Sequence, residues 1–304
     1  MTAPTTTAVD VTAGYYGGAG LALRLFRLAL GASQRVWPGL AVRAAGRLFR
    51  TPLPLKWLQR RGGMGAGWRT ESWPFEDASI TVYQPAAAPQ APLALLVHGW
   101  GGQARQMLPL AGALAARGLR PVLLEMPAHG RSAGTASNLP QFARAIDYAV
   151  ARLQHEGHTV QLLGAHSLGA NAAAYAAARA LPVGKLVLLA PPASPRNYTR
   201  YFAQVFGLTE STRAAMQKLI EAREGILMPQ FEPAAVGPRL RLPVLVVHDR
   251  EDRINDFGDG QAFARAIAGT QLIATQGLGH RRILKDEAVL AAVASFAASS
   301  TRGD

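Results

Sequence analysis

The sequence predicts an α/β protein with a mainly parallel, doubly wound sheet. Short apolar runs of strand length alternate with longer segments of helical periodicity over most of the chain. Glycine-rich or polar residues follow these runs directly, where strand-to-helix turns are expected. The alternation lapses between Pro191 and Leu242, so a small helical cap insertion is predicted there, and an N-terminal helical extension precedes the sheet.

The predicted elements follow one another with little interruption. Two amphipathic helices are predicted within residues 19–50, with a break near Trp37-Pro38-Gly39. The predicted strands are 68–73, 79–83, 93–97, 120–125, 159–164, 185–190, 243–247 and 271–275. The predicted helices of the sheet region are 103–117, 140–155, 168–181, 257–268 and 285–298. Strands separated by helices in this way pair in parallel, with the helices covering both faces of the sheet.

This order divides the chain into five parts. Residues 1–18 are expected to be a mobile N-terminus, and residues 19–66 a basic amphipathic helical extension. Residues 67–191 and 243–304 are the two parts of the α/β core, and residues 192–242 are the helical cap between them.

The formal net charge of +13 is unevenly distributed. Residues 1–75 hold ten Lys or Arg residues against two acidic residues, so most of the excess lies in the helical extension. Arginine outnumbers lysine by 28 to 4, which is typical of a GC-rich coding sequence. No nucleic-acid partner is therefore predicted.

The helical extension has two interpretations. Its helices carry arginines on one side and apolar residues on the other. In the favoured interpretation the apolar faces pack on the main domain and the arginines are solvated. In the alternative, residues 19–66 lie on an anionic membrane surface or cover a binding site. Because no membrane-spanning stretch or signal-peptide pattern is found, a cytoplasmic protein is expected, with peripheral contact at the inner face of the membrane as the alternative. The oligomeric state is not predicted.

The composition and spacing exclude several kinds of chemistry. The chain has no cysteine, which removes disulfides, thiolate metal ligands and cysteine nucleophiles. His98, His129 and His166 come from three separate loops without the spacing of metal ligands, so no metal is predicted. Residues 99–102 lack the spacing of a phosphate-binding loop, and no cofactor is predicted.

Ser167 follows a predicted strand at the sheet edge where ligands bind in parallel sheets. It is either the N-cap of the next helix or a nucleophile on a tight turn. A strained turn needs small residues two positions before and after the serine, and Ala165 and Gly169 meet this need. An Asp follows the penultimate strand and a His follows the last, which favours the nucleophile.

Five segments resemble the α/β-hydrolase fold family over residues 70–300. They are LLVHGWGG, EMPAHGRSAG, GAHSLG, PVLVVHDREDRIND and GLGHRRI. In the family pattern DxPGHGxS this chain has Glu125 for Asp and Ala128 for Gly, and the first small residue of the serine turn is Ala165. None of these departures removes a catalytic group.

The resemblance implies roles for particular residues. Ser167 corresponds to the nucleophile, His280 to its general base and Asp252 to the carboxylate that orients the base. Asp249, Glu251 and Asp256 compete with Asp252, but family spacing favours Asp252. The oxyanion hole is assigned to the backbone N–H groups of Trp100 and Leu168. The loops that support the site include His98, Gly99, Gly101, His166 and Gly169.

The implied activity is hydrolysis of a small-molecule carboxylic ester or thioester through an acyl-enzyme intermediate. Acyl transfer and perhydrolysis use the same triad, and a non-catalytic module that binds a ligand or a membrane is the alternative from another class. Apolar residues of the predicted cap either line an acyl pocket or dock the cap helices: Tyr198, Tyr201, Phe202, Phe206, Met216, Ile226, Met228 and Phe231.

Overall fold

The computed structural model describes residues 21–53, 63–87 and 90–299, and an eight-stranded sheet runs through this part of the chain. The strands are β1 (Trp68–Phe75), β2 (Ala78–Pro85), β3 (Leu93–Val97), β4 (Arg120–Glu125), β5 (Val160–His166), β6 (Val183–Leu189), β7 (Val244–Asp249) and β8 (Gln271–Thr275). Their spatial order is β1-β2-β4-β3-β5-β6-β7-β8. β2 pairs antiparallel with β1 on one side and with β4 on the other, and all the other neighbouring strands pair in parallel.

Eleven α-helices lie in the described residues. They are α1 (Leu21–Val36), α2 (Pro38–Phe49), α3 (Leu108–Ala115), α4 (Leu139–His155), α5 (Leu168–Ala177), α6 (Pro195–Phe206), α7 (Glu210–Glu224), α8 (Pro233–Val236), α9 (Phe257–Ala266), α10 (Gly279–Arg282) and α11 (Glu287–Ala298). The predicted α/β fold with a doubly wound, mainly parallel sheet is confirmed.

The core forms two layers because alternate strand residues point to opposite faces of the sheet. Leu95 of β3 packs with α4, α5 and α9, whereas Leu96, the next residue, packs with α3 and α11. β3 is buried throughout, since helices cover both of its faces. This arrangement brings the carboxyl ends of the parallel strands to one edge of the sheet.

Two helices of the sheet region differ most from their predicted form, and the other three differ by one or two residues at an end. The helix predicted over 103–117 begins as a 3₁₀ turn at Ala104–Met107, and α3 follows. Pro109 lacks an N–H group and is accommodated in the first turn of α3. The helix predicted over 168–181 ends at Ala177, since Ala180 is left-handed (φ 63°) and Pro182 disfavours a helical Leu181.

The N-terminal helices pack on the segment between β6 and β7. Leu30 of α1 and Ala41 and Ala45 of α2 are buried against Phe202 of α6 and Met216 of α7. No helix among the described residues is long and apolar enough to cross a bilayer. The mobile segment predicted at 1–18 lies outside the described residues, as do 54–62 of the predicted extension.

Candidate active site

Ser167 lies on a tight turn between β5 and α5. Its backbone has φ 54° and ψ −125°, a conformation that costs a non-glycine residue about 1–3 kcal/mol. The Ser167 N–H donates to the carbonyl of Leu189 at 2.8 Å, which fixes the turn to β6. The Ser167 hydroxyl makes no capping bond to α5, so the serine does not act as a side-chain N-cap.

The turn and the loop after β3 approach so closely that neither tolerates an added side chain. A Cβ atom at Gly99 would lie 2.7 Å from the Cβ of Ser167, and one at Gly169 would lie 2.4 Å from the carbonyl oxygen of His98. Ala165 is fully buried at the end of β5. The small residues predicted for the turn are therefore those that let the loop after β3 reach the serine.

Ser167, His280 and Asp252 form a continuous chain of hydrogen bonds. His280 Nε2 lies 3.1 Å from Ser167 Oγ, and His280 Nδ1 lies 2.7 Å from Asp252 Oδ2. Ser167 is 2% exposed and the Asp252 side chain is fully buried. The three side chains come from the loops after β5, β7 and β8, which meet at the carboxyl edge of the sheet.

The Asp252 carboxylate is held in its charged form. Burial opposes ionisation, but hydrogen bonds from His248, His280 and the Ile254 N–H outweigh it and hold the pKa of Asp252 well below its usual range. Oδ1 accepts from the N–H groups of Ile254 at 2.8 Å and Asn255 at 3.0 Å. A charged Asp252 can only accept from His280, so Nδ1 carries the imidazole proton and Nε2 faces Ser167 as an acceptor.

The other three acidic residues of this loop do not contact His280. Asp249 accepts hydrogen bonds from Thr275 Oγ1 at 2.7 Å and from the Leu278 N–H at 3.0 Å, so it anchors the loop that carries His280. Burial raises the pKa of Asp249, but these bonds outweigh burial and lower it. Asp256 caps α9 through the Gly258 N–H at 2.7 Å, and Glu251 is exposed.

The backbone N–H groups of Trp100 and Leu168 flank the serine turn. Leu168 is the first residue of α5, where N–H groups point out of the helix with the positive end of its dipole. Within the described residues, no group accepts a hydrogen bond from either of these two N–H groups. The Trp100 loop is fixed on its far side, since the Gly101 N–H donates to His129 Nε2 at 3.0 Å. Both N–H groups are therefore available for an acceptor near Ser167.

His98, His129 and His166 are buried, with bonds that differ from those of metal ligands. His98 Nδ1 donates to the Gly99 carbonyl at 2.7 Å and its Nε2 accepts from Met126, while His166 Nε2 donates to the His280 carbonyl at 2.9 Å. Burial lowers the pKa values of all three rings, to about 3 for His129 and His166. Among the described residues, no group of three or more His, Asp or Glu side chains is arranged to hold a metal.

Two hollows meet beside Trp100. The larger encloses about 970 Å³, open solvent included, and its lining is almost wholly apolar. It is lined by Leu168, by the start of α4, by Phe49 of α2, and by residues between β6 and β7: Pro195, Tyr198, Tyr201, Ile220, Glu221, Ile226, Met228 and Phe231. The smaller hollow, about 430 Å³, is more polar and contains Ser167, His280, Gln106 and Arg281.

Sequence reasoning missed Phe49 and Asp249. Phe49 lies in the predicted extension yet forms part of the larger hollow, and no local pattern identifies such a contact. Asp249 is the last residue of β7, at the sheet edge where the site lies, but its sequence position marks it only as a rival to Asp252. The apolar residues of the insertion fit both interpretations: Phe202, Phe206 and Met216 pack with the N-terminal helices, Tyr198, Tyr201, Ile226 and Phe231 line the hollow, and Met228 does both.

Comparisons with known proteins agree with this fold. Residues 94–293, about two thirds of the chain, match the model of a family described as the alpha/beta hydrolase family. No curated protein matches the sequence.

Three solved structures illustrate the similarity of fold. An esterase of Pyrococcus furiosus aligns with a TM-score of 0.60 and 18% identity, covering 81% of this chain and 96% of that one. Est1E of Butyrivibrio proteoclasticus with bound ferulic acid aligns with a TM-score of 0.60 and 19% identity, covering 75% of this chain and 96% of that one. The thioesterase domain of the curacin biosynthetic pathway aligns with a TM-score of 0.54 and 19% identity, covering 76% of this chain and 99% of that one.

Proposed function

The chain belongs to the alpha/beta hydrolase family, and we propose that it is a serine hydrolase that cleaves carboxylic ester or thioester bonds. The observation that carries the proposal is the hydrogen-bonded chain from Ser167 Oγ through His280 to Asp252. Beside the serine lie the backbone N–H groups of Trp100 and Leu168, which donate to no group among the described residues. A serine hydroxyl becomes an effective nucleophile only beside a base and an oxyanion site, and all three groups stand together here.

Acylation begins when Ser167 Oγ attacks the carbonyl carbon of the substrate. His280 accepts the hydroxyl proton at Nε2, while Asp252 stabilises the resulting imidazolium through Nδ1. The negative charge that develops on the carbonyl oxygen is stabilised by the N–H groups of Trp100 and Leu168. Each such donor is worth about 2.7–4 kcal/mol of transition-state stabilisation.

Collapse of the tetrahedral intermediate breaks the bond to the leaving group. His280 gives its proton to the departing alcohol or thiol, and the acyl group stays on Ser167 as an ester. In the second half, His280 takes a proton from water, the resulting hydroxide attacks the acyl carbon, and Ser167 recovers its proton. The products are a carboxylic acid and the alcohol or thiol.

The two hollows support a substrate with an apolar acyl group. The acyl chain occupies the larger hollow, whose lining includes Leu168, Phe231 and Phe49, and the leaving group occupies the polar hollow beside Arg281. In this proposal residues 192–242 act as the cap over the acyl site. The fold similarity to an esterase and to a thioesterase domain fits either bond, and the acyl group is the part that the apolar lining selects.

A fluorophosphonate probe tests the proposal, because it reacts only with an activated serine. We expect labelling of the intact protein, loss of labelling in Ser167→Ala, and full labelling in the matched variant Ser194→Ala. The Ser194 hydroxyl donates to Glu232, and Ser194 lines neither hollow. An unlabelled, folded wild-type protein would favour a non-catalytic binding module.

A further inference from the structure

We propose that the outer face of the two N-terminal helices binds an anionic lipid membrane surface. This outer face is defined by five exposed apolar residues of α1, α2 and the corner between them: Leu25, Leu28, Val36, Trp37 and Leu40. Leu28 is 71% exposed and Trp37 is 64% exposed, values that are unusual for such side chains in a folded protein. The proposal concerns binding and stands apart from the reaction at Ser167.

The packing of the extension accounts for only one side of its helices. Leu30, Ala41 and Ala45 are buried, so the inner side packs as the favoured sequence interpretation expects. Gln34 adds hydrogen bonds from the side of α1 to the turn after α6, at Gly207 and Thr209. The helices are therefore fixed by their inner side, and the outer face is left with apolar residues rather than arginines alone.

The outer face of α1 forms one stripe. Leu25, Leu28 and Val36 recur at helical spacing, and the two alanines between them on the same side, Ala29 and Ala32, are exposed as well. Trp37 lies at the corner, and Leu40 continues the stripe on α2. Clustered exposed apolar side chains are typical of an interaction surface, and tryptophan is enriched at the boundary of membrane and water.

The charge around this stripe selects the partner. Residues 21–53 contain six arginines and no acidic residue, and Arg27, Arg35, Arg43 and Arg47 are exposed. A second copy of this chain seated on the same face would bring these cations together without compensation. An anionic lipid surface supplies the opposite charge and also receives Leu, Val and Trp side chains.

Binding through the outer face would place the larger hollow next to the lipid. α2 carries Leu40 and Arg43 on its outer face and ends at Phe49 in the wall of the larger hollow. This last step rests on the proposed function, since it gives the hollow an acyl chain from the bilayer.

Vesicle sedimentation of the full chain tests the proposal. One set of vesicles contains phosphatidylcholine alone, and the other contains phosphatidylcholine and phosphatidylglycerol in equal parts. We expect the protein to sediment with the anionic vesicles only, and Ser167→Ala to bind equally well. The double variant Arg43→Gln with Arg47→Gln should bind about thirty-fold more weakly. Its control, Arg117→Gln with Arg239→Gln, removes the same charge elsewhere and should bind like the wild type.

The apolar contribution is tested separately. Leu28→Ser with Leu40→Ser should weaken sedimentation, whereas Leu227→Ser, an equally exposed leucine off the N-terminal helices, should not. Vesicles with brominated acyl chains should quench tryptophan fluorescence, and Trp37→Phe should remove most of that quenching. Circular dichroism verifies that each variant is folded, and hydrolysis of a short soluble ester verifies it again for the variants that keep Ser167.

Four results would overturn the proposal. They are absence of binding by the wild type, equal binding to both kinds of vesicle, equal losses in the control variants, and quenching that survives in Trp37→Phe. A wild-type protein that is a dimer in the absence of vesicles, and a monomer in the Leu28→Ser with Leu40→Ser variant, would instead assign the outer face to self-association.

Discussion

Replacing Asp252 by asparagine should abolish most activity while preserving the fold, because it reverses one hydrogen bond. Oδ1 of Asp252 accepts from two backbone N–H groups, those of Ile254 and Asn255. These donors hold the oxygen of the asparagine at the Oδ1 position, so its NH₂ group takes the position of Oδ2, 2.7 Å from His280 Nδ1. The new amide then donates to Nδ1 and moves the imidazole proton to Nε2.

The magnitude follows from this change of tautomer. With a proton on Nε2, His280 cannot accept the hydroxyl proton of Ser167, although the two atoms stay about as close as before. The same error lowers kcat by ~10⁴ in other serine triads, which corresponds to about 5.4 kcal/mol of activation free energy. The NH₂ group also faces His248 Nε2 at 3.5 Å, donor against donor. We therefore expect the free energy of unfolding to fall by about 1–3 kcal/mol.

The assay is kcat/KM on p-nitrophenyl acetate, with thermal melting followed by circular dichroism. The matched control is Asp256→Asn, the same substitution at the N-cap of α9, where asparagine caps as well as aspartate. We expect the control to keep its activity. An Asp252→Asn variant within about tenfold of the wild type, or an equal loss in the control, would refute the tautomer argument.

Two further predictions concern the walls of the larger hollow and a carboxyl beside it. Phe49→Ala should lower kcat/KM for p-nitrophenyl decanoate by about tenfold or more, because apolar contact with the long acyl chain is lost. The kcat/KM for p-nitrophenyl acetate should not change. Phe206→Ala, which packs with the N-terminal helices outside the hollow, should leave this ratio unchanged, and equal losses on both esters in Phe49→Ala would contradict the assignment. Burial raises the pKa of Asp259 to about 6, so the stability from its neutral form is complete below about pH 4 and is lost as the pH rises through 6. Urea titrations should show Asp259→Asn more stable than the wild type at neutral pH, by about 1–2 kcal/mol after allowance for its partial exposure, and equal to it near pH 4; the same difference at both pH values would contradict this account.

The sequence predicts the sheet well because its central parallel strands, β3, β5, β6 and β7, are mostly buried on both faces. Runs such as Leu93–Val97 contain no polar residue. Left-handed glycines, Gly207 and Gly225, end α6 and α7. The serine turn, Asp252 and His280 could be proposed because each follows a strand, and parallel topology gathers those positions at one edge. These predictions need only local pattern and topology.

Contacts between distant segments could not be predicted. Phe49 reaches the larger hollow only because α2 packs on α7, and no periodic pattern in the sequence indicates that pairing. The anchoring role of Asp249 could not be predicted, since its partners Thr275 and Leu278 lie on and after the last strand. In both cases the decisive information is which surface packs on which.

The proposed nucleophile and the proposed oxyanion donors depend on one contact between two backbones. Gly99 lies against the Cβ of Ser167, and Gly169 lies against the carbonyl of His98, so the loop after β3 and the serine turn are in contact at two points. That contact holds Ser167 in a conformation that costs about 1–3 kcal/mol on its own. Trp100 follows Gly99 in the chain, and Leu168 follows Ser167. The same contact therefore brings the backbones of Trp100 and Leu168 close to each other. A shift of the loop that relieved the strained serine would therefore also separate the two N–H groups from each other, and with them the proposed site for the carbonyl oxygen.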